Sequence, residues 1–289
     1  MRIAVTGARG RLGSVLVQEL AARGETSLEW SRPDYDLDDP DAAARLMKRD
    51  RPELVIHAAA WTDVDGCARD SALAERRNGV ATAELAAACR DAGAGLVYVS
   101  TNEVFAGDRT DGRGYAETDP PEPANPYGTA KLMGELRAQE ALGPEGGLYV
   151  VRTSWLFGPP GADFPAKILA ARDRLPADQP LPVVEDEVGC PTYASDLASA
   201  ILDLVGRARP SLYHLANAGH ASRVEWARRV LECWGREPFL RPVHASEFQR
   251  ASRPPAWGVL DTSKAAAAGV VLMAWPAAFD AYAELLAPA

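Results

Sequence analysis

The chain has 289 residues, of which 47% are hydrophobic and 25% are charged, and its formal net charge is −9 at pH 7. That length and composition allow a buried core of one large domain, or of a main domain with a smaller companion. The negative charge argues against nucleic acid as a partner, and no apolar run reaches the ~20 residues of a membrane helix.

The N-terminal run MRIAVTGARG enters a predicted strand at once, without the pattern of a signal peptide. We therefore expect a cytoplasmic protein that does not bind membranes. The four cysteines and four histidines are scattered along the chain. Their spacing favours neither a disulfide framework nor a metal site, and we predict no metal.

The first half of the chain alternates β-rich runs with helical runs. The β-rich runs are RIAVTG, SLEWS, ELVIHAA, GLVYVST and GLYVVRTSW. Strands joined by helical crossovers form parallel sheets, and the continuous apolar character of LVYVS indicates burial on both faces. We predict an α/β fold, a Rossmann-type doubly wound parallel sheet with helices on both faces.

After Trp155 the alternation weakens and proline and glycine cluster, which is typical of a smaller C-terminal substrate-binding lobe. We expect residues 1–156 to form the main, Rossmann-type domain, joined by a returning segment near 196–217. The substrate-binding lobe is expected mainly from residues 157–195 and 218–289.

Three glycines lie between the first predicted strand and the first helix, in VTGARGRLG. Glycines at this place permit a tight turn and a close backbone approach to a pyrophosphate, while the helix N-terminus offers N–H groups. This pattern predicts a dinucleotide site, so we expect residues 1–156 to be an NAD(P)-binding domain. Its residues are expected to be Gly7, Arg9, Gly10, Arg11, Leu12 and Gly13.

The end of the second predicted strand indicates which dinucleotide is bound. NAD enzymes usually carry an acidic residue there, whereas an arginine suits the 2′-phosphate of NADP. Ser31 and Arg32 follow this strand, and Glu29 is the acidic candidate at its tip. We predict NADPH, with NADH left open, and we place Asp36 and Leu37 beside the adenine.

The stretch NPYGTAKLMGE contains Tyr127 four residues before Lys131, so both side chains share one helix face. A nearby ammonium group can lower the pKa of a phenol, which makes tyrosine usable as a proton donor. Upstream, a predicted buried strand ends in Ser100 and Thr101, at the sheet edge where ligands bind in this architecture. Thr101, Tyr127 and Lys131 are therefore the candidate catalytic residues.

At this point the chain resembles the extended short-chain dehydrogenase/reductases, and within them the dTDP-4-dehydrorhamnose reductase family. The resemblance runs through VTGARGRLG, HAAAWTDVDGC, VSTNEVFAG, NPYGTAKLMGE, VRTSWLFGP, GCPTYASDLA and RPPAWGVLDTSK. It implies NADPH-dependent reduction of the C4 ketone of a dTDP-4-keto-6-deoxy sugar, with Tyr127 donating a proton to the C4 oxygen.

The resemblance also implies further site residues. Ala58, Ala59, Ala60 and Thr62 would line the cofactor, and Lys131 would bind the nicotinamide ribose beside Tyr127. The nucleotide-sugar substrate would contact Thr101, Glu103, Val104, Trp155 and Arg253. At Glu103 the family usually has a tyrosine near the sugar. Arg152 is a further candidate cation for the diphosphate.

Two other functions use the same motifs. An epimerase or dehydratase would employ the same three catalytic residues but would regenerate its nicotinamide in each cycle. A non-catalytic NADP-binding regulatory subunit would bind the cofactor without turnover. A homodimer stays open, and Asp280 and Glu284 are interpreted as the solvated face of a C-terminal helix.

Overall fold

The computed structural model describes residues 1–286, which form thirteen strands and eleven α-helices. The strands are β1 Arg2–Thr6, β2 Thr26–Trp30, β3 Leu54–His57, β4 Gly95–Thr101, β5 Leu148–Thr153, β6 Leu156–Phe157, β7 Leu181–Val184, β8 Val188–Gly189, β9 Thr192–Tyr193, β10 Leu212–His214, β11 Ala221–Ser222, β12 Leu240–Val243 and β13 Trp257–Gly258.

The helices are α1 Arg11–Ala22, α2 Ala42–Asp50, α3 Val64–Arg69, α4 Ser71–Ala74, α5 Ala81–Ala92, α6 Pro126–Leu142, α7 Phe164–Arg174, α8 Ala194–Arg207, α9 Arg223–Cys233, α10 Ser263–Ala267 and α11 Trp275–Leu286. A π-helical turn covers Glu75–Val80, and 3₁₀ turns cover Asn102–Val104 and Ala245–Glu247. None of the described helices is both at least 18 residues long and apolar enough to cross a membrane.

Six strands form one parallel sheet in the order β10-β5-β4-β3-β1-β2. The chain leaves β1 toward β2 at one edge and then returns to place β3 on the other side of β1. This reversal opens a crevice at the carboxyl ends of β1 and β3, which is where ligands bind in doubly wound sheets.

Helices cover both faces of this sheet. On one face, Leu16 of α1 and Ile201 of α8 belong to the same buried cluster as Val5 of β1. On the other face, Leu46 of α2 and Leu85 of α5 pack in a second cluster with strand residues of the sheet. The predicted Rossmann-type α/β fold is confirmed.

A third buried cluster lies in the C-terminal half and is dominated by aromatic residues. Trp226 of α9 packs against Phe157 and Phe164, with ring centroids 5.6 and 4.4 Å away, and Phe279 of α11 is 5.8 Å from Phe157. Short strands surround this cluster, namely the pairs β6–β9 and β7–β12 and the three-stranded sheet β11-β8-β13. We call the part of the chain that contains this aromatic cluster and these short strands the lobe.

Candidate active site

The glycine loop between β1 and α1 is held by contacts that leave no room for side chains. Gly7 has a φ of +64°, and a Cβ there would lie 2.9 Å from the Cα of Ala59. A Cβ on Gly13 would lie 2.1 Å from the carbonyl oxygen of Gly7. No side chain of the described residues caps the N-terminus of α1. Within the described part of the chain, the N–H groups at the start of α1 are therefore free of a side-chain cap, as a pyrophosphate site requires.

A cavity of about 490 Å³ opens beside this loop. Its lining consists of Gly7, Arg9, Gly10, Ser31, Arg32, Tyr35, Asp36, Leu37, Ala58, Ala59, Ala60, Trp61 and Arg77. Most of the predicted cofactor residues are thus grouped around one cavity. The glycine spacing and the strand ends indicated them because both lie at the crevice between β1 and β3.

Six predicted cofactor residues lie outside this lining, and two of them, Tyr127 and Lys131, belong to α6. Leu12 and Gly13 are buried behind the loop, and Thr62 is exposed beyond Trp61. Arg11 extends to the lobe, where its Nε donates to the carbonyl oxygen of Gly158 at 2.6 Å.

Sequence reasoning missed Tyr35, Trp61 and Arg77. The Arg77 guanidinium lies 5.4 Å from the Trp61 ring and donates to both carboxylate oxygens of Asp38, at 2.8 and 2.6 Å. Trp61 directly follows the predicted alanines, so extending that motif by one residue would have found it. The Arg77 position depends on a π-helical turn, for which the sequence carries no clear pattern.

Positive charge faces the part of the cavity next to β2. Arg9 and Arg32 are exposed there, and the Ser31 hydroxyl accepts a hydrogen bond from the Arg9 backbone at 3.3 Å. Glu29 is exposed and is absent from the lining. Asp36 is the acidic residue in the lining.

Thr101 and Tyr127 come from neighbouring elements. Thr101 ends β4, and its hydroxyl accepts from the Glu103 backbone N–H at 3.2 Å. Helix α6 begins at Pro126 because the Asn125 side chain caps it, accepting from the Gly128 N–H at 2.9 Å. This cap fixes Tyr127 in the first turn of α6, with its side chain buried.

In this structure the surroundings of Tyr127 raise the pKa of its phenol. Burial raises its pKa above the ordinary value, the negative charge of Glu103 and the thiol of Cys67 raise it further, and a hydrogen bond with Thr101 works against them. Lys131 forms no hydrogen bond with Tyr127 among the described residues, and its expected effect on the pKa of that phenol stays a prediction.

Lys131 is buried instead against β4. Its Nζ donates to the carbonyl oxygen of Val99 at 2.7 Å and lies 4.1 Å from the centre of the Tyr98 ring. Burial lowers the pKa of Lys131 to about 7, and the negative charge of Glu135 opposes that shift. The ammonium group thus lies near the carboxyl end of β4, one turn of α6 from Tyr127.

A buried ion pair lies behind these residues. Glu135 accepts from Arg152 through both oxygens, at 2.9 and 2.6 Å, and from the Ser100 hydroxyl at 2.5 Å. The Arg152 and Glu135 side chains are 3% and 6% exposed. Arg152 therefore joins β5 to α6 inside the protein, and its expected contact with a diphosphate is wrong.

A second cavity, of about 470 Å³, opens on the lobe side of the crevice. It is lined by Asp65, Phe164, Lys167, Ile168, Pro182, Val183, Val184, Glu187, Arg223, Ala245, Phe248, Gln249 and Arg250. The Arg223 guanidinium lies 3.5 Å from the Trp155 ring centre, and its Nε donates to Glu187 at 3.2 Å. Cations and apolar side chains thus share one cavity.

The predicted substrate residues are spread around this cavity and are absent from its lining. Trp155, with a φ of +42°, lies beneath Arg223 and packs on Gly189. Val104 is fully buried in a cluster with Phe105. The Arg253 side chain is exposed, and the cations that line the cavity are Lys167, Arg223 and Arg250.

Glu103 is absent from the linings of both cavities. Its carboxylate acts on the pKa of Tyr127 on one side, and Arg223 and Arg250 act on the pKa of Glu103 from the other. Within residues 1–286, no group of three His, Cys, Asp or Glu side chains is placed to hold a metal. Asp280 pairs with Arg229.

The chain matches known proteins over almost its whole length. The family model described as the RmlD substrate binding domain matches residues 1–287. A dTDP-4-dehydrorhamnose reductase from Mycobacterium tuberculosis is 38% identical over 295 residues, covering 100% of this chain and 93% of the relative.

Solved structures agree with the sequence match. A dTDP-4-dehydrorhamnose reductase from Clostridium acetobutylicum is 29% identical with a TM-score of 0.92, covering 99% of both chains. One from Bacillus anthracis, in complex with NADP, is 30% identical with a TM-score of 0.89, covering 97% of this chain and 98% of that one. From its sequence, its glycine loop and its Thr101–Tyr127–Lys131 arrangement, this chain belongs to the dTDP-4-dehydrorhamnose reductase family.

Proposed function

We propose that this chain reduces the C4 ketone of a dTDP-4-keto-6-deoxy sugar to an alcohol, with NADPH as the hydride donor. The observation that carries the proposal is the position of Tyr127 and Thr101. Thr101 ends β4 at the carboxyl edge of the sheet, where β1 leads into the glycine loop, and Tyr127 packs in one cluster with Trp61, which lines the glycine-loop cavity. A ketone held there can meet a proton donor and a hydride donor together.

The chain's own residues would bind the ketone and supply the proton. The Thr101 hydroxyl orients the C4 oxygen, and the Tyr127 hydroxyl transfers its proton to that oxygen as negative charge develops. The glycine loop fits a dinucleotide, because Gly7 and Gly10 line the cavity and no side chain within residues 1–286 caps the N-terminus of α1. Bound NADPH would supply the hydride at C4. Lys131, buried at the end of β4, would hold the nicotinamide ribose.

Local charge supports NADPH over NADH. Arg9 and Arg32 flank Ser31 in the lining, whereas Glu29 lies outside it. A 2′-phosphate beside two guanidinium groups gains charge-assisted hydrogen bonds that a 2′-hydroxyl cannot make.

Arg32→Ala tests the cofactor choice. We expect it to raise the KM for NADPH by about 10-fold or more, the scale of a hydrogen bond to a charged group, and to change the KM for NADH much less. Arg137→Ala is the matched control, because Arg137 is an exposed arginine paired with Glu140 on α6. An equal effect of Arg32→Ala on both cofactors would contradict NADPH recognition at this position.

The lobe cavity suits a nucleoside diphosphate. Lys167, Arg223 and Arg250 supply positive charge, and Phe164 and Phe248 supply aromatic surface for a base. Local cations are needed because the chain carries a net charge of −9. We propose that the dTDP group binds here with the sugar directed toward Tyr127.

The decisive experiment is a screen of NADPH oxidation against dTDP-4-keto-6-deoxy sugars, with the product examined by NMR at C4. We expect one NADPH to be consumed for each sugar reduced. Product formation without net NADPH consumption would identify an epimerase or dehydratase. No turnover on any keto-sugar, with a partner enzyme recovered in stoichiometric amount, would identify a regulatory subunit.

We also propose that the protein acts in the cytoplasm. The four cysteines are free thiols, and Cys67, Cys89 and Cys190 are buried, as suits a reducing compartment. The homodimer left open by the sequence is tested by light scattering on the purified protein.

A further inference from the structure

Glu103 is a carboxylate where the family usually has a tyrosine, and its position is well defined. Its backbone N–H donates to the Thr101 hydroxyl at 3.2 Å. Its Oε2 accepts from the Asn125 side chain at 2.7 Å, and Asn125 caps the helix that carries Tyr127. A Cβ on Gly128 would lie 2.0 Å from the Glu103 carbonyl oxygen, so this backbone fits closely against α6.

The carboxylate of Glu103 interacts electrostatically with groups on two sides. Burial raises the pKa values of Tyr127 and Cys67, and the negative charge of Glu103 raises them further. From the lobe, Arg223 and Arg250 lower the pKa of Glu103 and Glu187 raises it, yet neither arginine forms an ion pair with Glu103. Among the described residues, no donor is within hydrogen-bond distance of its second oxygen, Oε1.

A purely structural role does not require a carboxylate here. One hydrogen bond from Asn125 could be accepted by a glutamine oxygen, without the cost of a half-buried charge. Burial raises the pKa of Glu103, against the Asn125 hydrogen bond and the charges of Arg223 and Arg250. A raised pKa makes the ionised carboxylate a stronger base and brings its titration closer to neutral pH.

We propose that Glu103 is a catalytic base that removes and returns a hydrogen on a carbon next to the C4 ketone, so that the enzyme exchanges this hydrogen with solvent. The inference rests on the proposed function, since it requires a bound keto-sugar. It adds a second reaction to the site, because exchange needs no hydride.

The step is balanced within the site. The Glu103 carboxylate takes the proton from the α-carbon, and the electron pair of that C–H bond becomes a carbon–carbon double bond. The carbonyl electrons move to the C4 oxygen, which takes the proton of Tyr127 and is stabilised by Thr101. In reverse, Tyr127 recovers its proton and Glu103 returns one to the carbon. If that proton exchanges with water while it is on Glu103, the keto-sugar is labelled on the face of the carbon that Glu103 contacts.

The position of Glu103 relative to a bound carbonyl group is indicated by its closeness to Thr101 in the chain and by its hydrogen bonds. Thr101 and Tyr127 bind the carbonyl oxygen, and an α-carbon is two bonds from that oxygen. Glu103 starts two residues after Thr101 and is tied to the cap of the Tyr127 helix. Asn125 therefore contacts the carboxylate and caps the helix of the proton donor, and proton abstraction next to a carbonyl requires such a pair of groups.

The test is deuterium incorporation from D₂O into a dTDP-4-keto-6-deoxy sugar, followed by NMR and mass spectrometry. NADP⁺ replaces NADPH, so that the site is filled but reduction is absent. We expect wild-type protein to incorporate deuterium next to C4 well above the rate without enzyme. Glu103→Gln, which keeps the shape of the side chain, should slow incorporation about 10²-fold or more.

Reduction with NADPH is measured on the same preparations, which separates the two claims. Reduction without deuterium incorporation in the wild type would overturn the exchange reaction and leave the reductase intact, whereas loss of both would count against the proposed function itself. Incorporation by Glu103→Gln at the wild-type rate would also overturn the assignment. NADP⁺ binding, measured separately, shows that the variant is folded, and Glu103→Asp, with a carboxylate one methylene shorter, should exchange at a rate between the other two.

Discussion

Tyr127 is a buried phenol, and burial raises its pKa, so that it carries its proton at neutral pH. In the proposed reaction it would give up this proton as negative charge develops on the ketone oxygen, without being ionised beforehand.

Tyr127→Phe removes the acidic proton and keeps the ring and the helix. We expect NADPH still to bind, because the glycine-loop cavity is unchanged, and hydride transfer to fall by a factor of ~10² to 10⁴. The measurement is single-turnover reduction with NADPH already bound. A wild-type rate would show that another group delivers the proton.

Lys131 makes the stability of the protein depend on pH. Burial lowers its pKa to about 7, whereas an unfolded chain holds that proton up to a pKa of ~10.4. Between these values the unfolded state binds more protons than the folded state, so this group stabilises the fold increasingly as pH rises.

Lys131→Met should remove that pH dependence. From pH 7 to 9, the free energy of unfolding of the wild type should rise relative to that of Lys131→Met, by up to ~1.4 kcal/mol per pH unit. Urea unfolding at both pH values measures it, with the exposed Lys48→Met as control. Parallel stability curves for wild type and Lys131→Met would mean that the lysine is solvated in the folded protein.

At the scale of elements, α6 is joined to β4 and β5 by Glu135, Ser100 and Arg152. The same helix carries Tyr127 in its first turn and Lys131 in its second. Because Glu135 lies one turn beyond Lys131, its negative charge also opposes the loss of the lysine proton. The buried ion pair thus fixes the position of α6, and its carboxylate places a negative charge near Lys131.

Glu135→Gln leaves the Arg152 guanidinium buried without a counter-charge, which costs about 3–5 kcal/mol in comparable buried pairs. Denaturant unfolding should show this loss in the free energy of unfolding. The double variant Glu135→Leu, Arg152→Leu should lose less than the single variant Glu135→Gln. Glu140→Gln is the matched control, because that exposed carboxylate of α6 pairs with Arg137 and should change stability by less than ~1 kcal/mol. Additive effects of the two changes at 135 and 152 would contradict a coupled pair.

At the scale of the whole molecule, the sequence predicted those parts of the site that are formed by one short segment of the chain. The glycine loop is a turn between adjacent elements, and Tyr127 and Lys131 share one helix, so spacing alone brings each set together. Arg223 and Arg250 reach the crevice only because the lobe folds back, and no local period encodes that approach. Arg152 was misinterpreted because its partner, Glu135, lies on another element. The division of the chain at residue 156 stays a prediction.

The lobe is fastened to the sheet domain across the crevice at Asp65. One carboxylate oxygen, Oδ1, accepts from the Ser252 N–H at 3.0 Å, the Ser252 hydroxyl at 2.7 Å and the Arg250 Nε at 3.3 Å. Asp65 follows β3 on α3, whereas Arg250 lines the lobe cavity. Its pKa is lowered because the hydrogen bonds from Ser252 and the Arg250 charge outweigh the opposing effect of burial.

Asp65→Asn keeps the shape but removes the charge that fixes Arg250 and Ser252. We expect the KM for the nucleotide-sugar to rise about 10-fold, the scale of a charged hydrogen bond, because Arg250 would no longer be held toward the diphosphate. The Kd for NADPH should change much less, since Asp65 lies outside the glycine-loop cavity. Ser252→Ala tests the other half of the contact, and the double variant should lose less than the sum of the two single losses. Strict additivity, or an equal loss of NADPH affinity, would show that this contact stabilises the fold without positioning the substrate.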